Sequence, residues 1–308
     1  MTQPRLIVPG ATYVLTRRTI RRYHLFAPDA ETRQIFLYCL AIAAQRTGVL
    51  VHVVTLMSTH PHIVVTDVEG RLPEFLHHLN RHVALAMKVL RKWEGEVWDH
   101  RGPSVVELRT PEAVVQESAY SIVNPVAAGL VRSAKDWPGV TTRPSEIGTA
   151  VWRIARPVQY FSANDEKWPP VVELRLAMPH AAEELGVTDE QFRELVAEEV
   201  AKQEKAAHAK VKELGWAFLG ADRCLKLSPF RRARSWEPIR DRNPTFAVGR
   251  GKREAFFEAV RRLRAFRLEY RQRLEAWRAG ERSAPFPAGT WLMRHRHGAA
   301  VEEPVAAA

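Results

Sequence analysis

The sequence is poor in cysteine and has no long apolar run. Only Cys39 and Cys224 occur among its 308 residues, so no disulfide framework is implied and a reducing cytoplasm is the expected compartment. The longest apolar run (35–44) has about ten residues, whereas a membrane-spanning helix needs about 20. The N-terminus, Met1–Arg5, lacks the basic-then-apolar pattern of a secretory signal. We therefore expect a cytoplasmic protein with no membrane partner.

Acidic side chains are fewer than basic ones. Lys and Arg total 46 and Asp and Glu total 35, which gives a formal net charge of +11. A surplus of positive charge favours a polyanionic partner, and nucleic acid is the commonest such partner. A protein from an arginine-rich proteome has the same balance, so the charge alone leaves both explanations open.

The first 140 residues follow the element order of a split βαβ motif. Apolar periodicity and turn residues predict strands at 12–17, 49–56, 63–66 and 103–108, and helices at 29–46, 72–91 and 111–123. The order strand, helix, strand, strand, helix, strand is that of the ferredoxin-like fold. We therefore predict an α+β domain over 1–140, with an antiparallel sheet and its helices on one face.

The rest of the chain divides into two predicted segments. Residues 141–187 are rich in proline and tryptophan and are predicted to be an irregular linker, with a short strand near Val171–Leu176. Residues 188–308 are predicted to form a basic, mainly helical C-terminal extension, with helices at 189–214 and 252–280. Residues 252–296 alone contain twelve basic and five acidic side chains.

The helix at 252–280 has an apolar side and several arginines on its other faces. We expect its apolar side to dock on the rest of the protein through Phe256, Val260, Leu263 and Phe266. The arginines are expected to grip DNA, although a packed helix with a solvated basic side fits the same pattern.

Two histidines flank a proline at the start of the second strand of the predicted hairpin. In a strand, His60 and His62 point to the same face, because side chains alternate with a period of two. Two adjacent imidazoles can chelate one divalent metal. Two half-exposed histidines near a turn would give the same His-X-His pattern, so the motif alone does not decide between these uses.

A tyrosine and an asparagine share one face of the helix predicted at 111–123. Tyr120 and Asn124 are four residues apart, and Pro125 is expected to end or kink the helix. A tyrosine hydroxyl can act as a nucleophile, and an amide oxygen one turn away can serve as a metal ligand. A half-buried tyrosine with a capping asparagine is the structural alternative.

Together these motifs resemble the single-tyrosine HUH transposases of the insertion-sequence-200-like superfamily, and in particular the REP-associated tyrosine transposases. The matching segments, in chain order, are 4–13 (Pro-Arg-Leu-Ile-Val-Pro-Gly-Ala-Thr-Tyr), 56–64 around the two histidines, 95–101 (Gly-Glu-Val-Trp-Asp-His-Arg) and 120–131 from Tyr120 onward. The last segment, which contains Asn124-Pro125 and Gly129-Leu130-Val131, is the most specific match.

The resemblance implies an HUH nuclease fold and strand transfer on single-stranded DNA. His60, His62 and, as third ligand, Asn124 would hold Mg²⁺ or Mn²⁺. Tyr120 would attack the scissile phosphorus, keep the 5′ phosphate as a phosphotyrosine ester and free a 3′ hydroxyl, and reversal would rejoin strands. The implied partner is single-stranded DNA, with hairpin or palindromic elements. Whether the protein acts as a homodimer stays open.

Two residues depart from the family pattern. Thr59 stands where the family usually has asparagine, and Pro61 stands between the two histidines. Proline gives no N–H to a sheet ladder, so a central strand would lose one hydrogen bond there. A catalytically impaired, domesticated nucleic-acid-binding protein on the same fold is therefore the alternative function, and metal-dependent nicking would separate the two.

A basic loop follows the first predicted strand. It contains Arg17, Arg18, Arg21 and Arg22, which are candidates for phosphate contacts beside the metal site. A solvated basic loop is equally compatible with this sequence.

Overall fold

A computed structural model describes residues 4–233 and 244–303 of the chain. Within these residues, no helix is both long and apolar enough to cross a bilayer. The strands are β1 (Ala11–Thr16), β2 (Leu50–Met57), β3 (His60–Asp67), β4 (Ser104–Leu108), β5 (Val151–Ala155), β6 (Val171–Arg175) and β7 (Phe246–Ala247). The helices are α1 (Ala30–Thr47), α2 (Leu72–Arg91), α3 (Pro111–Ala127), α4 (Ala181–Glu184), α5 (Asp189–Glu213), α6 (Ala221–Leu225), α7 (Arg253–Arg278) and α8 (Trp291–His297).

The main sheet has the strand order β2-β3-β1-β4-β7. Its first four strands pair antiparallel in the order of a split βαβ motif, which confirms the predicted mixed α+β class. The short strand β7 adds a parallel edge beside β4. In the centre of the sheet Thr16 pairs with His62 on one side and with Ser104 on the other. The end of β1 and the starts of β3 and β4 therefore lie at the same end of the sheet.

Helices cover both faces of this sheet, so the prediction that they lie on one face is wrong. Tyr13 and Leu15 belong to the core beneath α1 and α2. Val14, between them, belongs to a second core that contains residues of α3 and α5. The physical reason lies in the strands themselves: Ile63, Val64 and Val65 are consecutive and all buried, so both faces are apolar and both need cover.

Residues 141–187 pack on the first domain and are not a linker. Strands β5 and β6 form a hairpin, as the predicted strand at 171–176 anticipated in part, and its inward residues join the core beneath α1. The segment also follows β2, where the backbone N–H of Thr142 donates to the carbonyl of Val54 and that of Ala177 to the carbonyl of Val51. This proline-rich segment is therefore packed on the core along its length.

The boundary predicted at residue 188 also cuts through a core. Phe192 and Val196 of α5 are fully buried in the cluster that contains Val114 and Ile122 of α3. Helix α5 begins with a capping box, in which Thr188 and Gln191 bond each other's backbone N–H. The helix is thus the outer layer over α3, although about half of its residues are charged.

Helix α7 docks through fewer residues than its pattern predicted. Ala259 and Phe266 are buried. Phe256 is 45% exposed, and its docking contact is with the ring of Phe246 on β7, at 5.7 Å between centroids. Arg262 of α7 bonds the buried carboxylate of Glu107 on β4, at 3.0 Å. The helix is therefore held on the β4 edge by a polar contact as well as by apolar ones.

Candidate functional site

The two histidines of the His-X-His motif lie on one face of β3. The hairpin turns through Ser58 and Thr59, so His60 pairs with Met57 as the first pair of the ladder. The imidazole rings of His60 and His62 have centroids 4.8 Å apart. Both side chains lie on the same face as Val64, which is the face covered by α3.

Threonine hydroxyls contact both imidazoles at Nδ1. Thr59 Oγ1 lies 2.8 Å from His60 Nδ1, and Thr16 Oγ1 lies 3.4 Å from His62 Nδ1. A partner at Nδ1 is the arrangement in which a histidine ligates a metal through Nε2, because it fixes the orientation of the ring. Thr59 therefore provides a polar partner for His60.

The electrostatic surroundings keep His60 neutral. Burial lowers the pKa of His60 well below its ordinary value, and the positive potential of His62, Arg18 and Arg22 lowers it further. A metal binds the neutral form of imidazole, so a lowered pKa leaves the ring in its ligating state at neutral pH.

Pro61 is accommodated without the loss of a β2–β3 hydrogen bond. It pairs with Leu56, whose backbone N–H donates to the carbonyl of Val140 and whose carbonyl accepts from the indole N–H of Trp137. Both backbone groups of Leu56 thus point away from β3. On the other side, β1 has its last pair at Thr16 and His62, one residue before Pro61 is reached. The proline therefore sits where β3 needs no donor toward β2.

Helix α3 brings Tyr120 to the histidines. Thr110 caps its N-terminus by accepting from the N–H of Ala113, and Pro111 occupies the first turn. The ring of Tyr120 is edge-on to that of His62, with centroids 5.7 Å apart. Tyr120 is 46% exposed, and its ring contacts that of His62.

Asn124 follows Tyr120 by one turn and is buried. The helix continues through Pro125 to Ala127, so the proline neither ends the helix nor prevents Asn124 from sharing a face with Tyr120. In the part of the chain that the structure describes, no group of three or more His, Cys, Asp or Glu side chains is placed to hold a metal. A metal at the histidine pair therefore depends on other donors, such as the amide oxygen of Asn124.

The four arginines of the basic loop separate into different positions. Arg18 and Arg22 are close enough to His60 to lower its pKa. Arg21 is exposed, and Arg17 lies over the ring of Trp98 at 5.1 Å from its centroid. Arg21 and Arg22 have positive φ angles of 46° and 59°, which residues other than glycine rarely adopt. The loop thus holds a strained backbone where it meets the histidine pair.

The sequence patterns do not predict two polar residues of this region. Thr16 is one, and its role follows from strand register, which no local pattern reveals. Glu117 is the other: it precedes Tyr120 by one turn, is half-buried, and has a carboxyl pKa raised by burial. Its spacing of three residues from Tyr120 is the sequence signal that could have identified it.

Comparisons with known proteins find similarity only among solved structures. No protein-family profile and no curated protein matches the chain. The chain is similar to a REP-associated tyrosine transposase bound to a REP hairpin, with 18% identity, a TM-score of 0.38, and coverage of 47% of this chain and 84% of the other. It is also similar to a candidate transposase from Deinococcus radiodurans R1, with 19% identity, a TM-score of 0.27, and coverage of 34% and 85%.

Proposed function

We propose that the protein is a transposase-like enzyme that cleaves and rejoins single-stranded DNA through a 5′-phosphotyrosine intermediate on Tyr120. One observation carries the proposal: an accessible tyrosine lies with its ring 5.7 Å from that of His62, which in turn lies 4.8 Å from that of His60. Two histidines beside a tyrosine combine a metal-ligating pair with a nucleophile at one point of the surface.

The donor set fits a divalent metal. His60, His62 and Asn124 would hold it, with water and a DNA phosphate oxygen as further ligands. Bound there, Mg²⁺ or Mn²⁺ would polarise the scissile phosphate and stabilise its developing negative charge. Two imidazole nitrogens suit Mn²⁺ better than Mg²⁺, since Mg²⁺ prefers oxygen ligands throughout.

The cleavage step transfers a phosphoryl group from DNA to Tyr120. The phenol oxygen loses its proton and attacks the phosphorus, a bond forms between the two atoms, and the bond from phosphorus to the 3′ oxygen breaks. The departing 3′ oxygen takes up a proton and becomes a hydroxyl. Attack of another 3′ hydroxyl on the phosphotyrosine reverses these steps, releases Tyr120 and joins the strands.

The arginines beside His60 supply contacts to the DNA backbone. Arg18 and Arg22 are close enough to His60 to lower its pKa, so we expect them to hold phosphates that flank the scissile one. Such contacts orient the strand without reading its sequence. A hairpin or palindromic single strand is the substrate we expect.

The alternative function, DNA binding without cleavage, depended on damage to the site by Pro61. Because the backbone groups of Leu56 bond to Val140 and Trp137, the proline costs no hydrogen bond with β2. The accommodation of Pro61 therefore favours the enzyme.

Metal-dependent nicking tests the proposal. The full-length protein is incubated with a pool of labelled single-stranded hairpins in Mn²⁺, in Mg²⁺, or with a chelator. We expect discrete cleavage products with a metal and none with the chelator. Binding of the same hairpins without cleavage under every metal condition would contradict the enzyme and support the alternative.

A further inference from the structure

Two arginines outside the histidine pair meet at the start of β4, and neither has a carboxylate partner among the described residues. Arg17 follows Thr16, which pairs with Ser104, and Arg5 contacts the neighbouring Pro103. Burial lowers the pKa of both Arg5 and Arg17, and the charge of Arg5 lowers that of Arg17 further. Arg5 donates to the carbonyl of Pro103 at 2.5 Å. Arg17 stacks on Trp98, and its Nε is buried without a hydrogen-bond partner. Two like charges held together at partial burial create a place where an anion is stabilised.

These arginines lie at the same end of the sheet as the catalytic residues. Arg17 directly follows Thr16, which pairs with His62 and with Ser104. Neighbouring strands are about 4.8 Å apart, so the start of β4 lies about 10 Å from His62 across the sheet. Arg17 continues the face of Tyr13 and Leu15, opposite to that of the histidines. A strand leaving Tyr120 would reach Arg17 by passing around the sheet end.

A cleft of about 300 Å³ opens beside Arg5 on that opposite face. It lies between the N-terminal segment, β4, β7 and α7. Its apolar walls are formed by Leu6, Val105, Phe246 and Leu263.

The polar side of the cleft has more guanidinium groups than carboxylates. Arg109 and Arg262 share a single oxygen of Glu107, at 3.1 and 3.0 Å, and Arg109 also reaches the exposed Glu258 at 3.5 Å. Arg101 is paired with Asp99. Arg5 is thus the member of the rim whose charge no described carboxylate offsets.

We propose that this cleft binds one nucleotide of the single strand, with its base between the apolar walls and its phosphate on Arg5, on the side of Arg5 that faces Arg17. Arg5 lines the cleft, whereas Arg17 lies just outside its lining. The inference rests on the proposed function in so far as DNA is the substrate. A bare anion would use the arginines but not the walls, whereas a base supplies a flat apolar surface of the size that the cleft accepts. Helix α7 would then form one wall of a nucleotide site through Ala259, Arg262 and Leu263, in addition to presenting a basic surface.

The test measures binding apart from cleavage. Full-length protein carrying Tyr120→Phe is titrated, without divalent metal, with fluorescent single strands in which one phosphate at a time is replaced by a neutral methylphosphonate. We expect one linkage whose neutralisation weakens binding about tenfold, as for the loss of a charge-assisted contact. In Arg5→Ala and in Arg17→Ala the same neutralisation should have little further effect.

Salt dependence and a matched variant complete the experiment. Arg5→Ala should make the slope of log affinity against log salt shallower by about 0.7, the value for one phosphate on single strands. Arg153→Ala removes an exposed arginine on β5 and should leave both affinity and slope unchanged. Equal losses in all three variants, or no linkage coupled to Arg5, would overturn the proposal.

An abasic scan of the wild-type chain tests the base without any change to the protein. One abasic position next to the coupled linkage should weaken binding, and a deoxynucleoside monophosphate should compete better than inorganic phosphate at equal concentration. If the monophosphate and inorganic phosphate competed equally and no abasic position weakened binding, the cleft would bind anions in general. That result would refute the nucleotide assignment. A failure of cleavage with intact coupling would instead count against the proposed function alone.

Discussion

The chain contains the His-X-His pattern twice, and the two copies fold differently. His60 and His62 lie on strand β3, where residues two apart share a face, and their rings are 4.8 Å apart. His295 and His297 lie on helix α8, where residues two apart are about 200° apart around the axis. His295 contacts Trp291 of the same helix. The same three-residue pattern thus forms two adjacent rings on one face in one place and two divergent side chains in the other.

The comparison shows that secondary structure decides what the motif can do. A period of two makes neighbours of the first pair, and the register of β1 and the position of α3 then add Thr16 and Tyr120. The second pair has no such arrangement. We therefore expect DNA cleavage to depend on His60 and His62 and to be independent of His295 and His297.

The largest expected effect is the loss of cleavage when the strand pair is broken. His60→Ala or His62→Ala should reduce metal-dependent nicking at least about a hundredfold, because metal polarisation of a phosphate contributes several kcal/mol. The double variant His295→Ala with His297→Ala is the matched control and should cleave like the wild type. Nicking rates on one hairpin substrate measure both. If the helix pair proved to be the sensitive one, the assignment of the site would be wrong.

A third histidine of the sheet, His52, should affect stability and not cleavage. It is fully buried between the carbonyl of Ala177 and the hydroxyl of Thr66, and burial lowers its pKa to about 4. Since the unfolded chain takes up a proton near pH 6.5 and the folded one does not, this stability is complete above pH 6.5 and falls as the pH decreases toward 4. The decrease should reach roughly 3 kcal/mol.

Chemical denaturation at pH 7 and pH 4 measures this decrease, and His52→Gln should make it smaller. An identical pH dependence in His52→Gln would contradict the assignment of the decrease to His52.

Asn124→Ala should weaken nicking about tenfold, less than either histidine variant, because a neutral amide is a poorer ligand than an imidazole. Alanine is a good helix former, so α3 should persist. Asn164→Ala, in an exposed loop, serves as control. A loss in Asn124→Ala that excess Mn²⁺ does not relieve would argue against a role in metal binding.

The smallest effect is expected for Pro61→Val, which gives the residue between the two histidines a backbone N–H. Nicking should stay within about threefold of wild type, and the free energy of unfolding should change by less than about 1 kcal/mol. The reason is that the carbonyl of Leu56, the β2 residue opposite position 61, already accepts from Trp137 and would not accept from the new N–H. A large gain of activity would show that the proline impairs the site after all.

Local signals in the sequence predicted the elements of the first domain well. Asp29 caps α1 through its side chain, and Gly48 ends that helix with a φ of 68°, as expected from their residue types. The hairpin, α2 and the faces of His60 and His62 also followed from periodicity. These features depend on residues that are near one another in the chain.

Features that depend on distant packing could not be predicted in this way. The helix faces do not say which side of the sheet α3 covers, and the charged sequence of α5 hides the two buried residues, Phe192 and Val196, that attach it to α3. A deletion from residue 188 onward would therefore expose the core over α3. Single arginine variants are consequently the better test of the C-terminal half than truncation.

Detection of a covalent protein–DNA adduct tests whether Tyr120 is the nucleophile. Wild-type protein is incubated with a single-stranded hairpin and Mn²⁺, denatured, digested and examined by mass spectrometry, with Tyr120→Phe and Tyr160→Phe in parallel. We expect a nucleotide attached through a 5′ phosphate to the peptide containing Tyr120, present in the wild type and in Tyr160→Phe, and absent in Tyr120→Phe. An adduct on another residue, or an undiminished adduct in Tyr120→Phe, would contradict this expectation.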